Sequence, residues 1–132
     1  MLIRIDKASD EPLYLQIRSQ IIASIAREEI KPGETLPSVR SLAYDLGINL
    51  HTVNKAYAVL RDEGYVVMRG RSGAVIVDHA TSPPSYKTEA ALQQMEEALY
   101  SLALAHKARG GGAEEFLGSA DKATLRAYRK DN

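Results

Sequence analysis

The sequence predicts a mainly α-helical fold with one small β-hairpin, and three observations support this prediction. Residues 36–57 contain two short helical patterns separated by Gly47, and each pattern follows a good N-cap residue, Ser38 or Asn49. Two short β-prone runs with a glycine-containing loop between them come next. A longer helical pattern then fills the last third of the chain. These features predict a winged helix-turn-helix domain followed by a short C-terminal helical tail.

Each of the two short helices has one apolar face. These faces consist of Val39, Leu42, Ala43 and Leu46 in the first helix, and of Val53, Ala56, Tyr57 and Leu60 in the second. The opposite face of the second helix carries the donors and acceptors His51, Thr52, Asn54 and Lys55 without a large apolar patch, and Leu50 beside the cap can pack locally or touch a thymine methyl. This layout is typical of a helix-turn-helix, whose second helix presents its N-terminal polar residues to the DNA major groove.

The segment before the helix-turn-helix predicts a short arm and one more helix. Leu2–Ile5 reads as a brief strand or an extended arm, and Pro12 suits the first turn of a helix. We expect Lys31–Gly33 to end this helix, because proline cannot continue it and glycine supplies the turn. The helix carries an apolar stripe that should pack under the helix-turn-helix: Tyr14, Ile17, Ile21, Ile22 and Ile25.

After the second short helix, which Gly64 should close, the chain predicts a β-hairpin, the wing. Its strands are Tyr65–Met68 and Ala74–Val77, and its tip is Arg69–Gly73, with two arginines and two glycines. A phosphate-cradling enzyme loop is the rival interpretation. It is disfavoured because the Gly-Lys-Ser/Thr ending of such loops is absent and no helix follows directly.

Several short motifs occur in a fixed order over most of residues 1–78. They are Pro32-Gly33, Leu36-Pro37-Ser38-x-Arg40-x-Leu42-Ala43, Gly47-Ile48, Thr52-Val53 and Leu60-x-x-x-Gly64-Tyr65. Together they resemble the winged helix-turn-helix domain of GntR-family bacterial transcription regulators. The opening, Ile5-Asp6 followed by Pro12-Leu13-Tyr14-x-Gln16-Ile17, resembles the YtrA subfamily in particular.

The resemblance implies a DNA-contacting surface on the helix-turn-helix and the wing. Its candidate residues are Ser38, Arg40, Asn49, His51, Thr52, Asn54, Lys55, Arg69, Gly70 and Arg71. Asn54 and His51 have side chains suited to base edges, whereas Thr52 and Lys55 suit phosphates. The alternative is that these four are solvated positions on an exposed helix.

Arginines provide the remaining contacts that the resemblance implies. Arg40 matches the family's DNA-contacting arginine, and its alternative is a surface ion pair with Asp45. In the wing, arginines suit a narrow minor groove. The family usually has an arginine pair followed by glycine there, and the order Arg69-Gly70-Arg71 departs from that pattern.

The C-terminal third predicts a helical dimerisation region. We expect a helix capped by Thr88 and ending near Arg109, with an apolar seam at Leu92, Met95, Leu99 and Leu102. At roughly 30 Å the helix is too long for the wing to cover its seam, which indicates a homodimer. A second helix is expected within 113–128. The predicted divisions are a DNA-binding domain at 1–78, a linker at 79–87 and the dimerisation region at 88–132.

Composition narrows the possible functions. The chain has 132 residues, a formal net charge of +0 and no cysteine. The three histidines are too scattered to predict a metal site, and we identify no catalytic set and no cofactor motif. Neither a signal peptide nor a membrane span is indicated, so we expect a cytoplasmic protein. Basic residues nevertheless exceed acidic ones between Arg40 and Arg71, as a local binding face requires.

The sequence therefore predicts a homodimeric transcription regulator, a repressor that binds a palindromic double-stranded DNA operator. It identifies neither the operator nor a small-molecule effector. One alternative is a winged-helix protein-interaction module that does not bind DNA, which the zero net charge favours. Another is the DNA-binding head of an aminotransferase-fused regulator, which the early end of the chain disfavours.

Overall fold

The computed structural model of the protein describes residues 1–79 and 89–129, which belong to two compact units called here the head and the tail. The head contains α1 (Leu13–Ala26), α2 (Val39–Leu46), α3 (Leu50–Asp62), β1 (Val66–Met68) and β2 (Ala74–Ile76). The tail contains α4 (Glu89–Ala108) and α5 (Ala113–Ala127). The predicted fold class, mainly α-helical with a small β-hairpin, is confirmed.

α3 lies at the centre of the head, because α1, α2 and β1 all pack against it. Its predicted apolar face is buried, with Val53 and Leu60 fully inaccessible to solvent. The buried apolar residues of the head are Ile3, Ile17, Ile21, Ile30, Leu36, Leu42, Ala43, Val53, Ala56, Tyr57, Leu60, Val66, Ala74 and Ile76. Burial of this face fixes the rotation of α3 about its own axis and therefore which side chains point outwards.

The helix-turn-helix forms as its capping residues predict. The Ser38 hydroxyl oxygen accepts a hydrogen bond from the Ser41 N–H (3.0 Å), and the Asn49 side-chain oxygen accepts one from the His51 N–H (2.8 Å). Gly47 has a φ of 65°, a left-handed conformation that glycine adopts without steric cost. These local interactions define the end of α2 and both helix starts.

The predicted end of α1 at Lys31–Gly33 is wrong. The helix ends at Ala26, and Glu28 turns the chain with a φ of 62°. The N–H groups of the next two residues, Glu29 and Ile30, then bond back to the carbonyl of Ser24. This early turn brings Ile30 into the core at 6% exposure. Burial of Ile30, which stabilises the fold by about 1.5–3 kcal/mol, is a tertiary interaction that favours this earlier end of the helix.

The N-terminal segment is an extended arm rather than a strand. Its backbone hydrogen bonds go to two glutamine side chains of α1 instead of to a neighbouring strand. The Gln20 side-chain amide bonds the N–H and the carbonyl of Arg4, and the Gln16 side-chain amide bonds those of Asp6. Ile3 is buried beside them. Pro12 was expected in the first turn of α1, but it precedes the first helical residue as the N-cap.

The wing strands β1 and β2 pair antiparallel, with Val66 opposite Ile76 and Met68 opposite Ala74. Residues 33–36 extend this sheet, an addition that the sequence did not predict. Thr35 forms a bridge with Val75, and the Leu36 N–H bonds the Ala74 carbonyl at 2.8 Å. The wing is therefore attached to the segment that leads into α2.

The hydroxyl of Tyr57 connects α3 to the start of the helix-turn-helix. It donates a 2.7 Å hydrogen bond to the carbonyl of Pro37, next to the N-cap of α2. Tyr57 is buried, and burial raises the pKa of its phenol far above the ordinary value of 10.0. The phenol is therefore protonated and remains a hydrogen-bond donor at every ordinary pH.

The tail is a helical hairpin in which α4 and α5 pack against each other. At the turn, the His106 ring lies beside Gly111, and its centroid is 6.1 Å from that of Phe116. Glu115 accepts a 3.1 Å hydrogen bond from the Gly112 N–H and lies 3.8 Å from His106 Nε2. The predicted cap Thr88 and the rest of the linker beyond His79 lie outside the described residues.

We predict that Gly111→Ala destabilises the tail hairpin. A Cβ atom at this position would lie 2.1 Å from His106 Nε2, so the imidazole ring must move away from the turn. Gly118→Ala is the matched control, because a Cβ there meets nothing within 4 Å and alanine favours a helix interior by about 1 kcal/mol. Thermal unfolding followed by circular dichroism should give a lower midpoint for Gly111→Ala and a higher one for Gly118→Ala. Equal midpoints for both variants would contradict the packing described at this turn.

We predict that Tyr57→Phe lowers the free energy of unfolding by about 1 kcal/mol at neutral pH, because the Pro37 carbonyl loses its donor. The folded-state pKa is raised, so the contribution of the phenol is complete below about pH 10 and is lost as the pH rises towards the folded-state value. The deficit of the variant, measured by urea unfolding, should therefore shrink above about pH 10. A deficit that is independent of pH would count against the burial argument.

Candidate nucleic-acid interface

α3 has two chemically different sides. Val53 and Ala56 point into the core, whereas His51, Asn54 and Lys55 are exposed and Thr52 is half-buried. The outward side chains comprise an imidazole, an amide, a hydroxyl and an ammonium group within the first two turns. Such groups match base edges and phosphates, and the exposed Leu50 at the first position of α3 is the one large apolar side chain beside them.

The two capping residues lie at the edge of this surface. The side chains of Ser38 and Asn49 each use an oxygen to accept the cap hydrogen bond. Each also carries a donor, the hydroxyl hydrogen of Ser38 and the amide nitrogen of Asn49. Both residues are exposed, so they can shape the helix starts and face a phosphate at the same time.

Arg40 is the second residue of α2 and is exposed. Its alternative role was a surface ion pair with Asp45. In residues 1–79 and 89–129, the ion pairs are Arg18–Glu63, Arg27–Glu29, Arg61–Asp62 and the contact of His106 with Glu115. None of these pairs involves Arg40, so its exposed guanidinium has no carboxylate partner among the described residues.

The wing tip is a tight turn that holds two arginines on the surface. The Arg69 N–H bonds the Gly73 carbonyl at 2.9 Å, and Gly70–Ser72 forms one short 3₁₀ turn. Gly70 and Gly73 have φ angles of 51° and 79°, which explains why this turn requires glycine at both positions. Arg69, Gly70 and Arg71 are all exposed, so the tip presents two positive charges and an open backbone.

Lys55 is the one cation of the predicted surface for which the structure identifies a partner. Its ammonium nitrogen lies 4.1 Å from the centroid of the Tyr14 ring on α1. Just beyond the C-terminal end of α3, Arg18 of α1 forms a two-pronged ion pair with Glu63, including a 2.7 Å bond from Nη2 to Oε2. Hydrogen bonding to Glu63 raises the pKa of Arg18. Contacts with α1 therefore constrain α3 at its middle and at its C-terminal end.

All ten predicted DNA-contacting residues belong to the head, where α2, α3 and the wing are attached to one core. The four predicted dimerisation residues, Leu92, Met95, Leu99 and Leu102, lie on α4 with exposures of 44–60%. Sequence reasoning missed the contact of Tyr14 with Lys55. Those residues are 41 positions apart (55 − 14 = 41), and no local pattern relates them.

The head offers cations and hydrogen-bond donors but no recognisable metal centre. In the part of the chain that the structure describes, no group of three or more histidine or carboxylate side chains comes together as metal ligands. Within the same residues, no helix has both the length and the apolar character needed to cross a membrane.

Comparison with known proteins identifies the class of protein that this head represents. The family model of bacterial regulatory proteins of the gntR family matches residues 13–76. YtrA from Sulfolobus acidocaldarius, a GntR-family transcription factor of known structure, is 41% identical, with a TM-score of 0.64 over 80% of this chain and 99% of that one. The chain therefore belongs to the GntR family, as the sequence motifs predicted.

Two further relatives bear on the subfamily and the fold. The HTH-type transcriptional repressor YtrA of Bacillus subtilis is 42% identical over 80 residues, which is 60% of this chain and 61% of that protein. The structure of a transcriptional antiterminator from Listeria monocytogenes gives a TM-score of 0.86 over 100% of this chain and 96% of that one. At 23% identity, that likeness shows a shared fold. The chain covers 60% or 61% of the length of three curated relatives, and only 15% or 16% of longer ones such as the probable rhizopine catabolism regulatory protein MocR of Rhizobium meliloti.

Proposed function

We propose that this protein is a sequence-specific DNA-binding transcription regulator that acts in the cytoplasm as a homodimeric repressor. The observation that carries the proposal is the outward side of α3, where His51, Asn54 and Lys55 are exposed while the opposite side is buried in the core. A helix anchored in this way can enter a major groove without rearranging the domain. The repressor role is supported by the similarity to YtrA of Bacillus subtilis, a transcriptional repressor.

The proposed contacts divide by chemistry. Arg40, Thr52, Lys55 and the caps Ser38 and Asn49 would bind phosphates and set the position of the head on the duplex. Asn54 and His51 would contact base edges, since an amide can form a bidentate pair with adenine. The wing tip, Arg69–Arg71, would reach the adjacent minor groove, where cations are favoured by its negative potential.

The tail supports the dimer in this proposal. None of the described residues of α4 or α5 is buried. Apolar side chains are therefore left at the surface, and those of the predicted seam on α4 are Leu92, Met95, Leu99 and Leu102. Two helices without a buried core would be stabilised by packing their exposed apolar strip against a further apolar surface. The same strip of a second copy of the chain is the simplest such surface. We therefore propose residues 1–78 as the DNA-binding domain, 79–87 as the linker and 88–132 as the dimerisation region. Paired heads would then read the two halves of a palindromic operator.

The experiment that tests the function is selection of fragments bound by the intact protein from total genomic DNA, followed by sequencing. We expect enrichment of a few fragments that share an inverted repeat, with half-site centres about one DNA turn or a multiple of it apart. Enrichment of no fragment, together with no mobility shift at low salt, would favour the alternative of a winged-helix protein-interaction module.

We predict that Arg40→Ala and Arg71→Ala weaken binding to every duplex, whereas Asn54→Ala relaxes the preference at one base pair. Each lost phosphate contact should reduce the slope of log affinity against log salt by about 0.9, and the lost base contact should cost about 1–3 kcal/mol on the selected fragment. Fluorescence anisotropy titrations at several salt concentrations measure both effects. Arg27→Ala is the matched control. Arg27 is also exposed, but it lies at the far end of α1, roughly 20 Å along the helix from Tyr14, the residue that contacts Lys55 of the proposed interface. Arginine variants that behave like this control would remove Arg40 and Arg71 from the proposed interface.

We predict that Leu99→Asp converts the dimer to monomers and weakens binding to the selected fragment. The substitution places a carboxylate in the proposed apolar seam, where burial of an unpaired charge is unfavourable. A monomer also loses the high effective concentration at the second half-site. Ser101→Asp is the matched control, since it adds the same charge on the opposite side of α4. Sedimentation velocity gives the oligomeric state, and a dimer of unchanged stability in Leu99→Asp would place the interface elsewhere.

A further inference from the structure

The contact between Tyr14 and Lys55 has the geometry of a cation–π interaction. The ammonium nitrogen lies over the ring, 4.1 Å from its centroid, well within the distance at which the ring quadrupole attracts a cation. Tyr14 is half-buried at the second position of α1 and packs against the edge of the core. Its ring is therefore held in place by the fold rather than by the lysine.

No carboxylate within one turn of Lys55 on α3 competes with the ring for this lysine. Residues 51–59, which cover one helical turn on either side of Lys55, include no aspartate or glutamate. Among the described residues, the ion pairs of the structure do not involve Lys55. Within the part of the chain that the structure describes, the Tyr14 ring is thus the partner that the structure gives to this charge.

Lys55 remains exposed although the ring covers one side of its ammonium group. An ammonium group has three donors, so those that face away from the ring stay free for an acceptor. An exposed lysine on a helix otherwise samples many rotamers, and this freedom is lost when the side chain binds a fixed anion. A ring that already restricts the side chain reduces that loss.

We propose that Tyr14 is a positioning residue for DNA binding, whose ring holds the Lys55 ammonium group ready for a phosphate oxygen of the duplex. This inference rests on the proposed function. It brings α1 into the recognition surface, although Tyr14 itself acts only through Lys55. The removal of the ring should weaken binding about two- to fivefold, the factor that corresponds to 0.5–1 kcal/mol for an exposed cation–π pair.

The test is a double-mutant cycle on the full chain, with a fluorescein-labelled duplex of random sequence as the probe. Phosphate contacts do not depend on sequence, so no operator is needed. We expect Tyr14→Phe to bind like the original protein, and Tyr14→Leu to bind about two- to fivefold more weakly. In a Lys55→Ala background, Tyr14→Leu should cause no further loss. The same loss in both backgrounds would show that Tyr14 only packs, and unchanged or tighter binding by Tyr14→Leu would equally overturn the proposal.

A second variant keeps the test independent of packing. Pentafluorophenylalanine at position 14 preserves the ring shape but reverses the sign of its quadrupole, so it should repel the Lys55 ammonium group. We expect this variant to unfold thermally like Tyr14→Phe and to bind the duplex more weakly. Equal binding by these two variants would overturn the proposal even if Tyr14→Leu fails to fold. Failure of the original protein to bind any duplex at low salt is a separate result, and it would remove the DNA-binding function itself.

Discussion

The burial of one side of α3 is the constraint on which the rest of the head depends. Val53, Ala56, Tyr57 and Leu60 fill the centre of the core, and α1, α2 and β1 each pack against them. A helix held from three directions can neither rotate nor slide without exposing apolar surface. Its remaining side is consequently presented in one orientation, which a groove-reading helix requires. The hydrogen bond from Tyr57 to Pro37 and the ion pair of Arg18 with Glu63 add directional restraints to this packing.

The head and the tail differ in how much apolar surface each of them buries within itself. The head buries fourteen apolar residues from several elements, so one chain suffices to form its core. In the tail, the described residues of α4 and α5 include none that is buried, and the turn is stabilised by local contacts among His106, Gly111 and Phe116. The proposed homodimer would give this hairpin a second apolar surface to pack against. The same chain thus combines a domain that has its own buried core with a helical hairpin that has none among its described residues.

The formal net charge of zero is compatible with an anion-binding surface because the charges are distributed unevenly. Several acidic residues of the head are engaged locally, as Glu63 is with Arg18 and Asp62 with Arg61. The arginines of α2 and of the wing tip are exposed and, within the described residues, outside the ion pairs of the structure. Each of these pairs neutralises one acid and one arginine, so the local positive charge comes from where the unpaired arginines lie, which composition alone does not reveal.

The sequence by itself determined the features that depend on neighbouring residues. Ser38, Gly47 and Asn49 define the helix-turn-helix because caps and left-handed turns are local interactions, and the apolar spacing of α3 identifies its buried face. Only the tertiary structure decided where α1 ends. Pro32 predicted an end at residues 31–33, but the helix stops at Ala26 and the following turn buries Ile30 in the core. The tertiary structure also decided that residues 33–36 extend the wing sheet and that Lys55 lies over Tyr14. These last features join residues about 40 positions apart, and such contacts leave no periodicity in the sequence because they arise only when the core brings separate segments together.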